Sequence, residues 1–97
     1  MPNQSQIKIT KQAGVVTFSP NPENAISRDQ ISWVNHDDTA HWPGLLNGDG
    51  TINSTFFMPN QIAGNGDTSP IFTPSVPFTY TYVCSLHPTE KGTIVVS

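Results

Sequence analysis

Charge is scarce in this sequence: Lys, Arg, Asp and Glu make up 11% of its 97 residues, and only four residues are Lys or Arg. With a formal net charge of −3, the chain carries no basic stripe that would neutralise phosphates, so nucleic acid and anionic membrane surfaces are not expected partners. Cysteine is nearly absent as well. A single residue, Cys84, excludes an internal disulfide and leaves a lone thiol open to metal or redox chemistry. No apolar run approaches the roughly 20 residues of a membrane-spanning helix. Residues 1–6 have neither the charged nor the apolar region of a secretory leader, so the chain reads as soluble and without a membrane span. Amphipathic runs of helical length, internal repeats and low-complexity tracts are missing too.

What the chain does have is punctuation. Nine prolines and seven glycines suit many short strands joined by tight turns, and the length suits one small domain spanning residues 1–97. Gln6–Thr10 alternates apolar and polar residues, and Gly14–Phe18 follows a turn at Ala13-Gly14, which predicts an opening strand pair. Ser19–Asn24, with Pro20 and Pro22, reads as a loop because proline has no N–H to give to a ladder. Gln30–Asn35 returns as a strand with Ile31 and Trp33 on its inner face. A turn follows over residues 35–40, and a tight reversal over residues 45–50. Thr55–Met58 and Ser69–Phe72 are further short strands, the second at an edge because of Pro70. In Phe78–Cys84 three aromatics alternate with small or polar residues, and Cys84 shares their face, so its sulfur should point inward. About seven short strands without helices predict an all-β Greek-key sandwich.

Cys84, His87 and Glu90 follow one another at intervals of three between that strand and the strand-like Thr93–Val96. Thiolate, imidazole and carboxylate all suit a borderline-soft transition metal. By itself Cys84 would pass as a small buried hydrophobe, but a thiolate on an apolar face needs a counter-charge, and a metal supplies one. A further donor is available upstream, where the strand Gln30–Asn35 leads through a polar turn to His41.

An aromatic strand leading to a histidine, then Cys-x-x-His-Pro-x-(ligand)-x-Gly before the last strand, resembles the cupredoxins, small copper proteins of the plastocyanin and amicyanin kind. The resemblance covers nearly the whole chain. It implies a Greek-key sandwich holding one copper per chain, with His41, Cys84 and His87 as ligands and Glu90 in the slot where the family has an axial methionine. It also implies electron transfer with a redox partner protein, no enzymatic activity, a monomer, and a periplasmic or otherwise extracytoplasmic location. His36, between Asn35 and the acidic pair Asp37 and Asp38, reads instead as a solvated turn residue, and the two aspartates as surface charges. Met58 reads as core, not as a sulfur donor.

Glu90 has two readings, a surface carboxylate beside Lys91 or an anionic ligand that favours copper(II) and lowers the reduction potential. A second departure is Trp42, which follows His41 where the family usually has an asparagine tied to the residue after the cysteine, here Ser85; an indole offers a donor but no acceptor for that tie. Trp42, Pro43, Leu86 and Pro88 are the expected apolar docking surface around His87. The alternatives to an electron carrier are a red-copper-like site open to a small exogenous ligand, a zinc site, and a metal-free structural module. Hydrolysis by a Cys–His pair lacks a third orienting group.

Overall fold

A computed structural model of the protein describes residues 3–97; Met1 and Pro2, which begin the segment read for a leader, lie outside the described residues. Nine strands are present among the described residues: β1 (Gln4–Gln12), β2 (Val15–Ser19), β3 (Glu23–Ala25), β4 (Gln30–Asn35), β5 (Pro43–Leu46), β6 (Ile52–Asn53), β7 (Asp67–Thr68), β8 (Phe78–Cys84) and β9 (His87–Val96). They form one sheet in the order β2-β1-β4-β7 and a second in the order β3-β9-β8-β5-β6. Among the described residues no helix is long and apolar enough to cross a membrane.

The period of two decides what each strand buries. Ile7 and Ile9 on β1 face inward with Ile31 and Trp33 on β4, and on the opposing sheet Tyr80 and Tyr82 of β8 face inward with Ile94 and Val96 of β9. Trp33 meets Tyr82 edge-on with ring centroids 5.3 Å apart, and Phe18 meets the same tyrosine at 5.0 Å. Each such pair contributes roughly 0.5–1.5 kcal/mol beyond its burial. Tyr82 is thus the point at which the two sheets lock, two residues before Cys84.

The opening hairpin turns at Ala13 (φ 51°) and Gly14 (φ 78°), the doubly left-handed turn that matches strand twist. Three expectations change. The loop expected at residues 19–24 ends in the short strand β3, which pairs in parallel with β9 from Glu23, just past Pro22, the last residue unable to donate. Residues 55–58 are turn and bend, not a strand: they join no ladder, and the Phe56 N–H donates back to the Asn53 carbonyl at 3.3 Å, a local bond that reverses the chain. The strand expected at residues 69–72 keeps its edge position but not its length: within it only Phe72 forms a bridge, to Ile31 of β4, and the paired strand there is β7, just before it.

Candidate metal centre

Sheet register brings the last residue of β8 beside the first residues of β5 and β9. Cys84 pairs with Pro43 on one side and His87 on the other. Along β8 and β9 the ladder runs evenly down to Val83 opposite Lys91, and the next pair is Cys84 opposite His87. Residues 88–90 are therefore extra on β9 and bulge from the ladder, as a bulge does when it re-aims a side chain. That bulge turns Glu90 back toward Cys84.

His41 lies near the end of the β4–β5 connection, which leaves the other sheet at Asn35. Its backbone exchanges two hydrogen bonds with Ile62, His41 N–H to the Ile62 carbonyl at 3.1 Å and Ile62 N–H to the His41 carbonyl at 2.8 Å. The turn before it is held by Asn35, which is fully buried. The Asn35 amide donates to the carbonyls of Thr39 (2.8 Å) and Ile62 (3.1 Å), and its Oδ1 accepts from the Asp37 N–H (3.0 Å).

One donor atom from each of His41, Cys84, His87 and Glu90 lies within 4.8 Å of all the others. Cys84 Sγ is 3.7 Å from His41 Nδ1 and 3.6 Å from His87 Nδ1. Glu90 Oε1 is 3.1 Å from His41 Nδ1 and 3.4 Å from His87 Nδ1. Both histidines thus present Nδ1 to a common point. The sulfur accepts a hydrogen bond from the Trp42 N–H at 3.4 Å. Burial pushes the Cys84 thiol above its ordinary value, against backbone hydrogen bonds from Trp42, Leu86 and His87 that favour the thiolate.

The four residues differ in access. His41 and Cys84 are fully buried, Glu90 keeps 17% of its side chain exposed, and His87 keeps 45%. Glu90 Oε1 is itself buried and has no hydrogen-bond partner. A carboxylate oxygen without a hydrogen-bond partner, close to two imidazole nitrogens and a sulfur, makes a donor set whose chemistry suits a cation, since a buried charge needs a counter-charge. Glu90 is not the surface carboxylate of the bland reading.

His36 is exposed and outside the group; its backbone N–H donates to the Ile9 carbonyl at 2.9 Å. Met58 is core, 1% exposed, and its carbonyl accepts from the Trp42 indole at 3.4 Å. The tie between the residues after His41 and Cys84 is made by backbone instead, Ser85 N–H to the Trp42 carbonyl at 2.7 Å. Pro43 is fully buried and drops out of the expected docking surface, whereas Leu86 and Pro88 are exposed.

Asp37 was read as a surface charge and is not one. It is buried, and its Oδ2 lies 2.7 Å from His41 Nε2. Burial pushes its carboxyl up, but hydrogen bonds from His41, Thr39 and Asp38 outweigh that and hold it well below the usual carboxylate range. Its exposed neighbour Asp38 makes the surface charge, 3.8 Å from Lys11. The available signal was the spacing: a carboxylate four residues before a ligand-type histidine, across a turn.

The sequence matches no protein-family model, and it matches no curated protein. Solved structures do match. A purple cupredoxin from Nitrosopumilus maritimus superposes with a TM-score of 0.81 at 24% identity, over 96% of this chain and 99% of that one. Amicyanin from Paracoccus versutus superposes with a TM-score of 0.74 at 18% identity, over 97% and 81%. A variant amicyanin in a reduced Cu(I) form superposes with a TM-score of 0.75 at 18% identity, over 100% and 85%. Two facing sheets joined through Tyr82, with a buried histidine brought to the Cys84–His87 hairpin by the connection that crosses between them, are thus part of an architecture matched along almost the whole chain: the protein has the cupredoxin fold.

Proposed function

We propose that this protein is an electron carrier that holds one copper ion per chain between His41, Cys84, His87 and Glu90. The observation that carries this reading is the convergence of four chemically suited donor atoms, from the β4–β5 connection, the β8–β9 hairpin and its bulge, within 4.8 Å of one another. Cysteine, two histidines and a carboxylate also suit tetrahedral zinc. Copper is preferred because the fold is that of copper proteins, one of them solved as Cu(I). Copper bound there would supply one-electron chemistry between Cu(I) and Cu(II).

The chain's own residues do the rest. His41 is pinned through its backbone by Ile62 and through its ring by Asp37, and Cys84 is pinned by its ladder and by the Trp42 N–H. Donors held this firmly resist the rearrangement that would otherwise slow a change of oxidation state. The Glu90 carboxylate adds negative charge on the donor side and favours the higher oxidation state. His87, the exposed member, gives the electron its exit, and Leu86 and Pro88 beside it form an apolar contact for a redox partner protein. A monomeric, single-domain carrier working outside the cytoplasm fits this reading, and no catalytic role is assigned to it.

Titrating the metal-free protein with Cu²⁺ tests it. Uptake of one equivalent should produce an intense thiolate-to-metal absorption that Cys84→Ser abolishes. No uptake, or a band that survives the substitution, would overturn the proposal.

A further inference from the structure

Among the described residues, Asp37 is the one buried carboxylate in contact with a member of the four-residue donor group yet outside it. Both its oxygens face donors only. Oδ1 accepts from the Asp38 N–H at 2.7 Å and lies 3.5 Å from Lys11 Nζ; Oδ2 accepts from the Thr39 hydroxyl at 2.9 Å and contacts His41 Nε2 at 2.7 Å. An ionised carboxylate has no hydrogen to offer. The proton in the contact with His41 therefore belongs to the ring, on Nε2. On the far side of the same ring Glu90 Oε1 is 3.1 Å from Nδ1 but takes no hydrogen bond from it. The two nitrogens are thus divided between two tasks, Nε2 for Asp37 and Nδ1 for the point shared with Cys84, His87 and Glu90.

We propose that Asp37 is a positioning residue for the metal group: it fixes His41 as the Nε2–H tautomer with its Nδ1 lone pair facing the site, and through that ring it lends negative charge that favours the higher oxidation state of a bound metal. The second half of this inference rests on the copper reading above; the first half does not. A carboxylate behind a ligating imidazole orients the ring and makes it a stronger donor, and its loss costs ~10–100-fold in metal affinity. The turn is built for the task. Asn35 accepts the Asp37 N–H, and the Asp37 carbonyl accepts from the Asn65 N–H at 2.8 Å. A Cβ at Gly64 would come within 2.6 Å of that carbonyl oxygen, so this turn and the loop at Gly64 fit closely.

The first test needs no metal. In the metal-free protein, long-range ¹H–¹⁵N NMR of the neutral His41 ring should find the proton on Nε2, and a proton on Nδ1 with Nε2 bare overturns the proposal. The second compares Asp37→Asn with Asp38→Asn in the copper-loaded protein. Both remove one negative charge, but Asp38 is exposed and does not touch His41. Asp37→Asn should weaken copper(II) binding by ~10–100-fold, raise the reduction potential and shift the thiolate band, while Asp38→Asn leaves all three near wild type. Equal shifts in the two variants, or none in Asp37→Asn, overturn it. If Asp37→Asn does not fold, the tautomer still decides. If the wild type takes up no copper, the copper reading fails while the tautomer measurement stands by itself.

Discussion

Glu90 is the residue at which this chain parts from the copper proteins it resembles, and its contacts give the departure a consequence. Its Oε1 is near both imidazoles and lacks a hydrogen-bond partner, so an anionic oxygen stands where a neutral thioether is usual. An anionic hard donor favours copper(II) over copper(I). Glu90→Met should therefore raise the reduction potential and move the visible spectrum toward that of a conventional blue site, and Glu90→Gln should move both part of the way. Voltammetry and absorption on the same preparations check this, and a Gln variant indistinguishable from wild type would mean that the carboxylate does not bind the metal. Of the individual residues, Cys84, His87 and Glu90 were legible because their spacing is local. Asp37 was not, because two adjacent aspartates look alike in sequence and only the turn built by Asn35 buries one and exposes the other.

The β8–β9 hairpin is the element on which the site depends most. Tyr82 pairs with Gly92, and a Cβ at position 92 would collide with the phenol end of the Tyr82 side chain. Glycine is required there by close approach and not by backbone angle. Gly92→Ala must displace Tyr82, the residue packed against both Trp33 and Phe18, and overpacking of this kind costs roughly 1–3 kcal/mol. Urea unfolding of the metal-free protein should register that loss, and the bulge that carries Glu90 lies close enough for metal affinity to fall with it. An Ala variant as stable as wild type would show that the ring moves freely. The strands themselves were readable from their alternation: Ile31 and Trp33 on β4, and Tyr80, Tyr82 and Cys84 on β8, all face inward as expected. The bulge at residues 88–90 was not, since a register shift is a property of two strands together and leaves no mark on either alone. Nor were the parallel pairings of β1 with β4 and β3 with β9, because strand direction depends on connections that cross between sheets.

Across the whole molecule those parallel pairs give the sandwich two unlike ends. Beside β4, Ile9 stands at Asn35 and Gln4 at Gln30, so the turn leading to His41 leaves from one end while Asp29, next to Gln30, lies at the other. Glu23, on β3 opposite Ile94, is buried and within the electrostatic reach of Asp29. Burial pushes its carboxyl above the usual value, the Ser5 hydroxyl opposes this, and the charge of Asp29 adds to it. The folded chain therefore keeps a proton on Glu23 at pH values where the unfolded chain has lost it, and stability falls as pH rises from the ordinary carboxylate value of 4.5 through the raised one. Glu23→Gln keeps the shape without the ionisation. It should stabilise the metal-free protein at neutral pH and have a smaller effect well below 4.5, where the wild-type carboxyl is protonated in both states. The metal-free form is the one to use, because metal binding has its own proton linkage at the opposite end. Urea midpoints for wild type and variant across that range give the answer: a difference that grows with pH supports a carboxylate whose charged form is disfavoured by burial, at the end of the sandwich away from His41. A difference that shrinks as pH rises would mean that Glu23 is stabilised in its charged form by a partner and that its proton is bound more weakly in the fold than out of it.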